Sequence, residues 1–115
     1  MMDYEEMSDF EINGYVAMLR HGFSWIEFMD GYHGSVKCGN DNSPGFAIID
    51  VADYCNKPSD SMQILIENKI GFKWVNGSCT ASSVKCGYHE STSDNPLRAA
   101  MIVFLMMRDE QCQKS

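Results

Sequence analysis

Two histidines stand in the same tripeptide frame, His33-Gly34-Ser35 and His89-Glu90-Ser91, and they are the side chains with the most obvious chemistry in this chain. Imidazole titrates near neutrality, so a pair facing one phosphate would act as base and acid while the serine hydroxyls hold its oxygens. Val36 continues the first motif as an apolar strand residue, but Thr92 does not do the same for the second. Loop histidines are the favoured reading, and a small phosphoesterase acting through His33 and His89 is an alternative. Cys79 together with Cys86-Gly87-Tyr88-His89 offers thiolate and imidazole, both good zinc ligands. No Cys-x-x-Cys pair occurs, and a fourth ligand would have to come from His33, Cys38 or an acid, so neither a metal nor another cofactor is expected.

A third constellation consists of helix starts. Free amides near Ser59 and Ser61, and again near Leu97 and Arg98, are natural anion sites, and Arg98 adds a planar cation to the second. The same residues allow a plainer reading, in which Ser59 and Asn95 cap their helices and Arg98 pairs with an acid such as Asp94. Trp25 and Trp74 could stack on a base, although filling the core is the default for either ring.

These residues must be positioned by a small set of elements. Asn95-Pro96 signals a helix beginning at Pro96, and no residue from Ala99 to Met107 is polar. A helix without a wet face over two turns must be surrounded by protein, so this one is expected at the centre of the fold. Ser8-Asp9-Phe10-Glu11 has the form of a capping box, and Ile12, Tyr15, Val16 and Leu19 follow at helical spacing up to a stop at His21-Gly22, with Gly14 as an interior weakness. Trp25 to Met29, Ser35 to Cys38 and Phe46 to Val51 read as strands, separated by turn formers such as 40–45. Met62, Leu65, Ile66 and Ile70 predict a second amphipathic helix, capped by Ser59 and ended by Gly71. Phe72 to Val75 and Ser78 to Val84 should pair through an Asn76-Gly77 turn, and Tyr88 to Asp94 reads as a polar loop. The pentapeptide Ser-Val-Lys-Cys-Gly occurs at 35–39 and 83–87, but the flanks do not match and two similar strand ends are the simpler explanation.

The expected fold class is α+β: one small domain over 1–115, an antiparallel sheet packed with about three helices, and frayed ends at 1–7 and 108–115. A formal charge of −7 with nine scattered basic residues argues against a nucleic-acid backbone as partner, so no DNA or RNA is expected. The apolar run is too short to span a membrane, and Met1 to Glu6 is acidic with no signal-like apolar stretch, so no membrane association is expected and the protein should stay in the cytoplasm. The odd set of five cysteines reads as free thiols.

Several blocks carry a resemblance. Ser8-Asp9-Phe10-Glu11-Ile12-Asn13, Cys55-Asn56-Lys57-Pro58-Ser59-Asp60, Ile66-Glu67-Asn68-Lys69-Ile70, Trp74 and Asn95-Pro96-Leu97-Arg98-Ala99-Ala100-Met101 resemble the phage NinX family, small accessory proteins of lambdoid and P22-like phages. The resemblance implies a setting in the host cell cytoplasm and work directed at host machinery. On that basis the leading expectation is a counter-defence protein that binds and sequesters a small nucleotide-derived signal, of ADP-ribose type or a cyclic nucleotide, without catalysis. Asn95, Arg98 and the helix-start amides at Ser59 would hold phosphates, Trp74 would stack on the base, and Asn56 or Asp60 would take ribose hydroxyls. Such pockets are often completed across a symmetric interface, so a homo-oligomer is expected. The other alternative is an interaction module that inhibits a host protein through an exposed apolar patch.

Overall fold

The computed structural model describes residues 3–29, 34–85 and 87–109. Its helices are α1 (Asp9–Arg20), α2 (Pro58–Asn68) and α3 (Pro96–Asp109), and its strands form two antiparallel sheets of three. The first sheet contains β1 (Trp25–Glu27), β2 (Ser35–Gly39) and β3 (Ala47–Asp50) in the order β1-β2-β3; the second contains β4 (Gly71–Val75), β5 (Ser78–Ser83) and β6 (His89–Ser93) in the order β4-β5-β6. The α+β class is as expected, with one refinement: the strands divide into two sheets.

The centre of the molecule is α3. Every residue from Ala99 to Leu105, and Met107, is buried. The helix lies against β5 and β6 on one side and against α1 and α2 on others. Beneath it the buried strand positions are Cys79, Ala81, Ser83 and Ser91, all small, which lets the helix approach the sheet closely. No described helix is long and apolar enough to cross a membrane.

Local signals account for several element boundaries. In the capping box of α1, Glu11 N donates to Ser8 Oγ at 3.1 Å while Ser8 N donates to Glu11 Oε1 at 2.9 Å. Asn76 and Gly77 take φ of 51° and 83°, the positive values a two-residue hairpin turn needs.

Four boundaries depart from expectation. Lys57, not Ser59, is the N-cap of α2, because Pro58 already fills the first helical position; it makes no side-chain cap, since an ammonium has no acceptor for a first-turn N–H. Lys69 ends that helix with φ 54°, and Gly71 instead opens β4. Tyr88 to Asp94 is no loop over 89–93, since β6 pairs there with β5: the Thr80 and Thr92 hydroxyls hydrogen-bond across the strands at 2.8 Å, and Ser91 is buried under α3. The small polar side chains that look like a loop are those that fit under a closely packed helix. The ends are also less loose than expected: Tyr4–Glu6 forms a 3₁₀ turn with Tyr4 buried, and α3 continues through Arg108 and Asp109. Residues 110–115, with Cys112, lie outside the described residues.

A second, smaller cluster joins α1 to the first sheet, with Met18, Val36 and Cys38 at its heart. Tyr15, Leu19, Ile49 and Val51 pack against both clusters and tie them together. Gly14 belongs to this junction. The Phe28 ring lies where a Cβ at residue 14 would stand, 2.6 Å from its Cε1 atom, and Phe28 is held by edge contacts with Phe10 and Tyr15 at 5.7 Å each. Gly14→Ala should therefore destabilise the protein by about 1–3 kcal/mol, overriding the roughly 1 kcal/mol that alanine gains by helix propensity. Denaturant unfolding of the two proteins measures this, and a variant of equal or greater stability would show that the ring yields freely.

Candidate functional site

Four of the six residues expected to bind a ligand come together where α1, α2 and α3 all begin, and each is engaged within the protein. Asn95 caps α3 through Oδ1, which accepts from Leu97 N at 3.0 Å and Arg98 N at 3.3 Å. Its Nδ2 donates to Cys55 O at 2.8 Å and to Asn56 Oδ1 at 3.0 Å. Asn56 Nδ2 donates in turn to Asp9 Oδ2 at 3.2 Å and Asp53 Oδ1 at 3.0 Å, and Asp60 Oδ2 accepts from Asp53 N at 3.2 Å. Arg98 Nη1 reaches Asp9 Oδ1 at 2.8 Å, while Nη2 donates to Met7 O at 2.6 Å and Glu5 O at 3.3 Å. Its acidic partner is thus Asp9, not Asp94, whose carboxylate accepts from Ser78 Oγ at 3.2 Å.

Sequence reasoning passed over three members of this network: Asp9, Asp53 and Asn13. Asn13 Nδ2 donates to Asp53 Oδ1 at 3.1 Å, and Asn13 Oδ1 accepts from Cys55 N at 2.9 Å. One signal was available. Asn13 sits beside Ile12 and one turn from Val16 on the buried face of α1, and a polar residue there requires partners. The network also sets the state of Cys55, whose thiol is pushed up to about 12, first by burial and then by the Asp9 carboxylate, against the opposing pull of Arg98.

The remaining candidates lie apart. Ser59 is exposed on the first turn of α2, and Trp74 is 62% exposed on β4, contrary to the default of core filling. Trp25 is half-buried; its ring covers Gly39 on the neighbouring strand, where an added Cβ would stand 2.3 Å from Trp25 Cζ2. The serines of the two His-x-Ser motifs, Ser35 and Ser91, lie in different sheets. Ser91 is only 3% exposed beneath α3, so its hydroxyl cannot reach a phosphate from outside, and His33 lies outside the described residues. Among the described residues no group of three or more His, Cys, Asp or Glu side chains could hold a metal ion; Cys86 lies outside them.

A cavity of about 380 Å³ opens elsewhere, between α1, β1 and the C-terminal end of α3. Tyr4, Tyr15 and Trp25 supply aromatic wall, and Ser24, Arg108 and Asp109 supply polar groups. The Tyr4 hydroxyl donates to Asp109 Oδ2, and burial, reinforced by that carboxylate, pushes the phenol well above its ordinary range, so it remains a donor. The Arg108 guanidinium stands 5.3 Å from the centre of the Phe104 ring. Neither Tyr4 nor Arg108 carries a sequence signal for a site, since one lies in an acidic end and the other at the edge of an apolar run.

The family model described as Bacteriophage P22, NinX matches residues 3–108, and the chain belongs to that family. No curated protein and no solved structure matches it.

Two outcomes follow from the network at the helix starts. Arg98→Ala strands the Asp9 carboxylate and two carbonyls and should cost about 2–4 kcal/mol in denaturant unfolding, with Arg98→Lys recovering only part because an ammonium cannot span the three acceptors. An unchanged unfolding midpoint would mean the guanidinium is not structural. The Cys55 thiol gives a pH effect of definite sign. Its folded value lies above its ordinary 9.0, so its contribution is complete below pH 9 and declines as pH rises toward about 12. Melting temperature should fall over that window in the native protein and fall less in Cys55→Ala; parallel pH profiles would refute the assignment.

Proposed function

We propose that this NinX-family protein holds a small nucleotide-derived ligand, of ADP-ribose type or a cyclic nucleotide, in the cavity beside the end of α3, and withdraws it from a host defence response without altering it. The observation that carries this reading is the cavity itself. Its volume of about 380 Å³ falls in the range of small-molecule sites, and its wall combines flat aromatic surface with a guanidinium. Trp25 or Tyr15 would take the base by stacking, Arg108 would take a phosphate, and Asp109 would accept from a ribose hydroxyl. The locked Tyr4 phenol favours binding over nucleophilic chemistry, because a hydroxyl that resists deprotonation is a donor and a poor nucleophile.

This placement differs from the one expected at the helix starts. A phosphate arriving at Arg98 would have to displace Asp9 and two backbone carbonyls from a guanidinium that is already satisfied. Arg108 has no acid within ion-pair distance among the described residues, so it needs no such exchange. The phage family supplies the setting, since a phage product that binds a signal can act on its host without an enzymatic step.

The test is calorimetric titration of the protein with a panel of cyclic dinucleotides and ADP-ribose derivatives, followed by recovery of the ligand after heat denaturation. Intact ligand should be released only on heating, and Trp25→Ala and Arg108→Gln should each weaken binding at least tenfold, about 1.4 kcal/mol. No binding by any member of the panel, native affinity retained by either variant, or recovery of cleaved ligand would each overturn the proposal.

A further inference from the structure

The edge strand β4 is the least covered element of the fold. All five of its residues are exposed, including Phe72, Trp74 and Val75 at 43%, 62% and 47%, and it is hydrogen-bonded to β5 on one side only. The two-residue turn at Asn76-Gly77 makes Val75 and Ser78 the hydrogen-bonded pair that closes the hairpin. By alternation Gly71, Lys73 and Val75 direct their backbone groups toward β5. Phe72 and Trp74 direct theirs outward, where no strand among the described residues receives them.

The faces alternate as well. Phe72 and Trp74 stand opposite Ala81 and Cys79, so they share the face that α3 covers, whereas Lys73 stands opposite Thr80 on the other face. On that same side α2 ends against β5, through Ser83 Oγ donating to Asn68 O at 2.7 Å and Lys85 Nζ donating to Glu67 O at 2.9 Å. Gln63 and Glu67 form the flank of α2 that turns toward Arg20 of α1. Met62 and Ile66, exposed at 49% and 67%, form its other flank. The edge strand itself contains no acid.

We infer that this edge pairs with β4 of a second copy of the chain, antiparallel, about a two-fold axis through Lys73, to give one continuous six-stranded sheet. The occupant is a second copy because the edge is complementary to itself. An axis at Lys73 sets Phe72 opposite the partner's Trp74 and Trp74 opposite the partner's Phe72. The four outward N–H and C=O pairs are then satisfied at once, and two cross-strand aromatic pairs form on the helix side. Any other register of the same parity leaves an aromatic residue opposite its own copy, a turn residue or a residue beyond the strand. The exposed side chains of Phe72, Trp74 and Val75 offer on the order of 300 Å² per copy, to which the paired backbone, the Lys73 stem and the rim add toward the roughly 800 Å² per partner of a standard interface. The two Lys73 ammonium groups meet on the outer, solvated face, where long stems and counterions separate the charges.

Sedimentation equilibrium over a concentration series tests the interface, and a cross-link tests its register. The native protein should form dimers, and Trp74→Asp should be monomeric with an unchanged far-ultraviolet circular dichroism spectrum. In the pairing described, residue 73 faces its own copy with Cα atoms about 4.5 Å apart, within the range a disulfide spans. Oxidised Lys73→Cys should therefore yield a covalent dimer, while Thr80→Cys, on the same face but one strand further in, should yield no more than the native chain. A native protein that stays monomeric up to its solubility limit overturns the inference. So does a dimer that survives Trp74→Asp, or a cross-link no more efficient at residue 73 than at residue 80. None of these outcomes depends on whether the cavity binds a nucleotide.

Discussion

A helix with no wet face cannot exist in water without cover on every side, and the remaining structure follows from that constraint on α3. One flank is closed by β5 and β6, others by α1 and α2. Close cover favours small residues, and these stand at the strand positions beneath the helix: Cys79, Ala81, Ser83 and Ser91. The cost is visible at Ser91, whose hydroxyl has no partner among the described residues.

Enclosing the helix creates a problem at its start, where free amides must be satisfied away from bulk water. The chain meets it by gathering three helix beginnings around one set of carboxylates and amides. Asn95 links α3 to the 55–56 turn, Asn56 and Asn13 link that turn to α1, and Arg98 fastens the segment before α1 onto α3. Negative charge at Asp9 and Asp60 sits near helix N-termini, where the peptide dipoles favour it. The residues that look most like a ligand site are thus the ones the fold uses on itself. This is a general hazard in reading sequence: the polar groups that bind phosphate at a helix start are the same ones that close it.

The far end of α3 is arranged differently. Tyr4 and Asp109 meet there across almost the full length of the chain, closing one side of the cavity, and Trp25 is held over Gly39 at another. Aromatic surface, a guanidinium and a carboxylate are assembled from four separate segments. Rings held in this way would lose little freedom to a ligand of the kind proposed.

Ser8 with Glu11, Asn95 with Pro96, and Asn76 with Gly77 announced their helix starts and their turn directly, because each acts through partners within about four residues. The apolar run from Ala99 to Met107 likewise announced a buried helix, since hydrophobicity on every face leaves no other place for it. What the chain could not disclose locally was the outcome of contacts between distant residues. Strand β6 exists because β5 and α3 receive it, the acidic partner of Arg98 lies 89 residues away, and the cavity brings Tyr4 to Asp109 and Trp25 to the end of α3. Whether a given arginine or asparagine faces a ligand or another part of its own chain depends on which groups compete for its hydrogen bonds, and only the tertiary structure brings those competitors together.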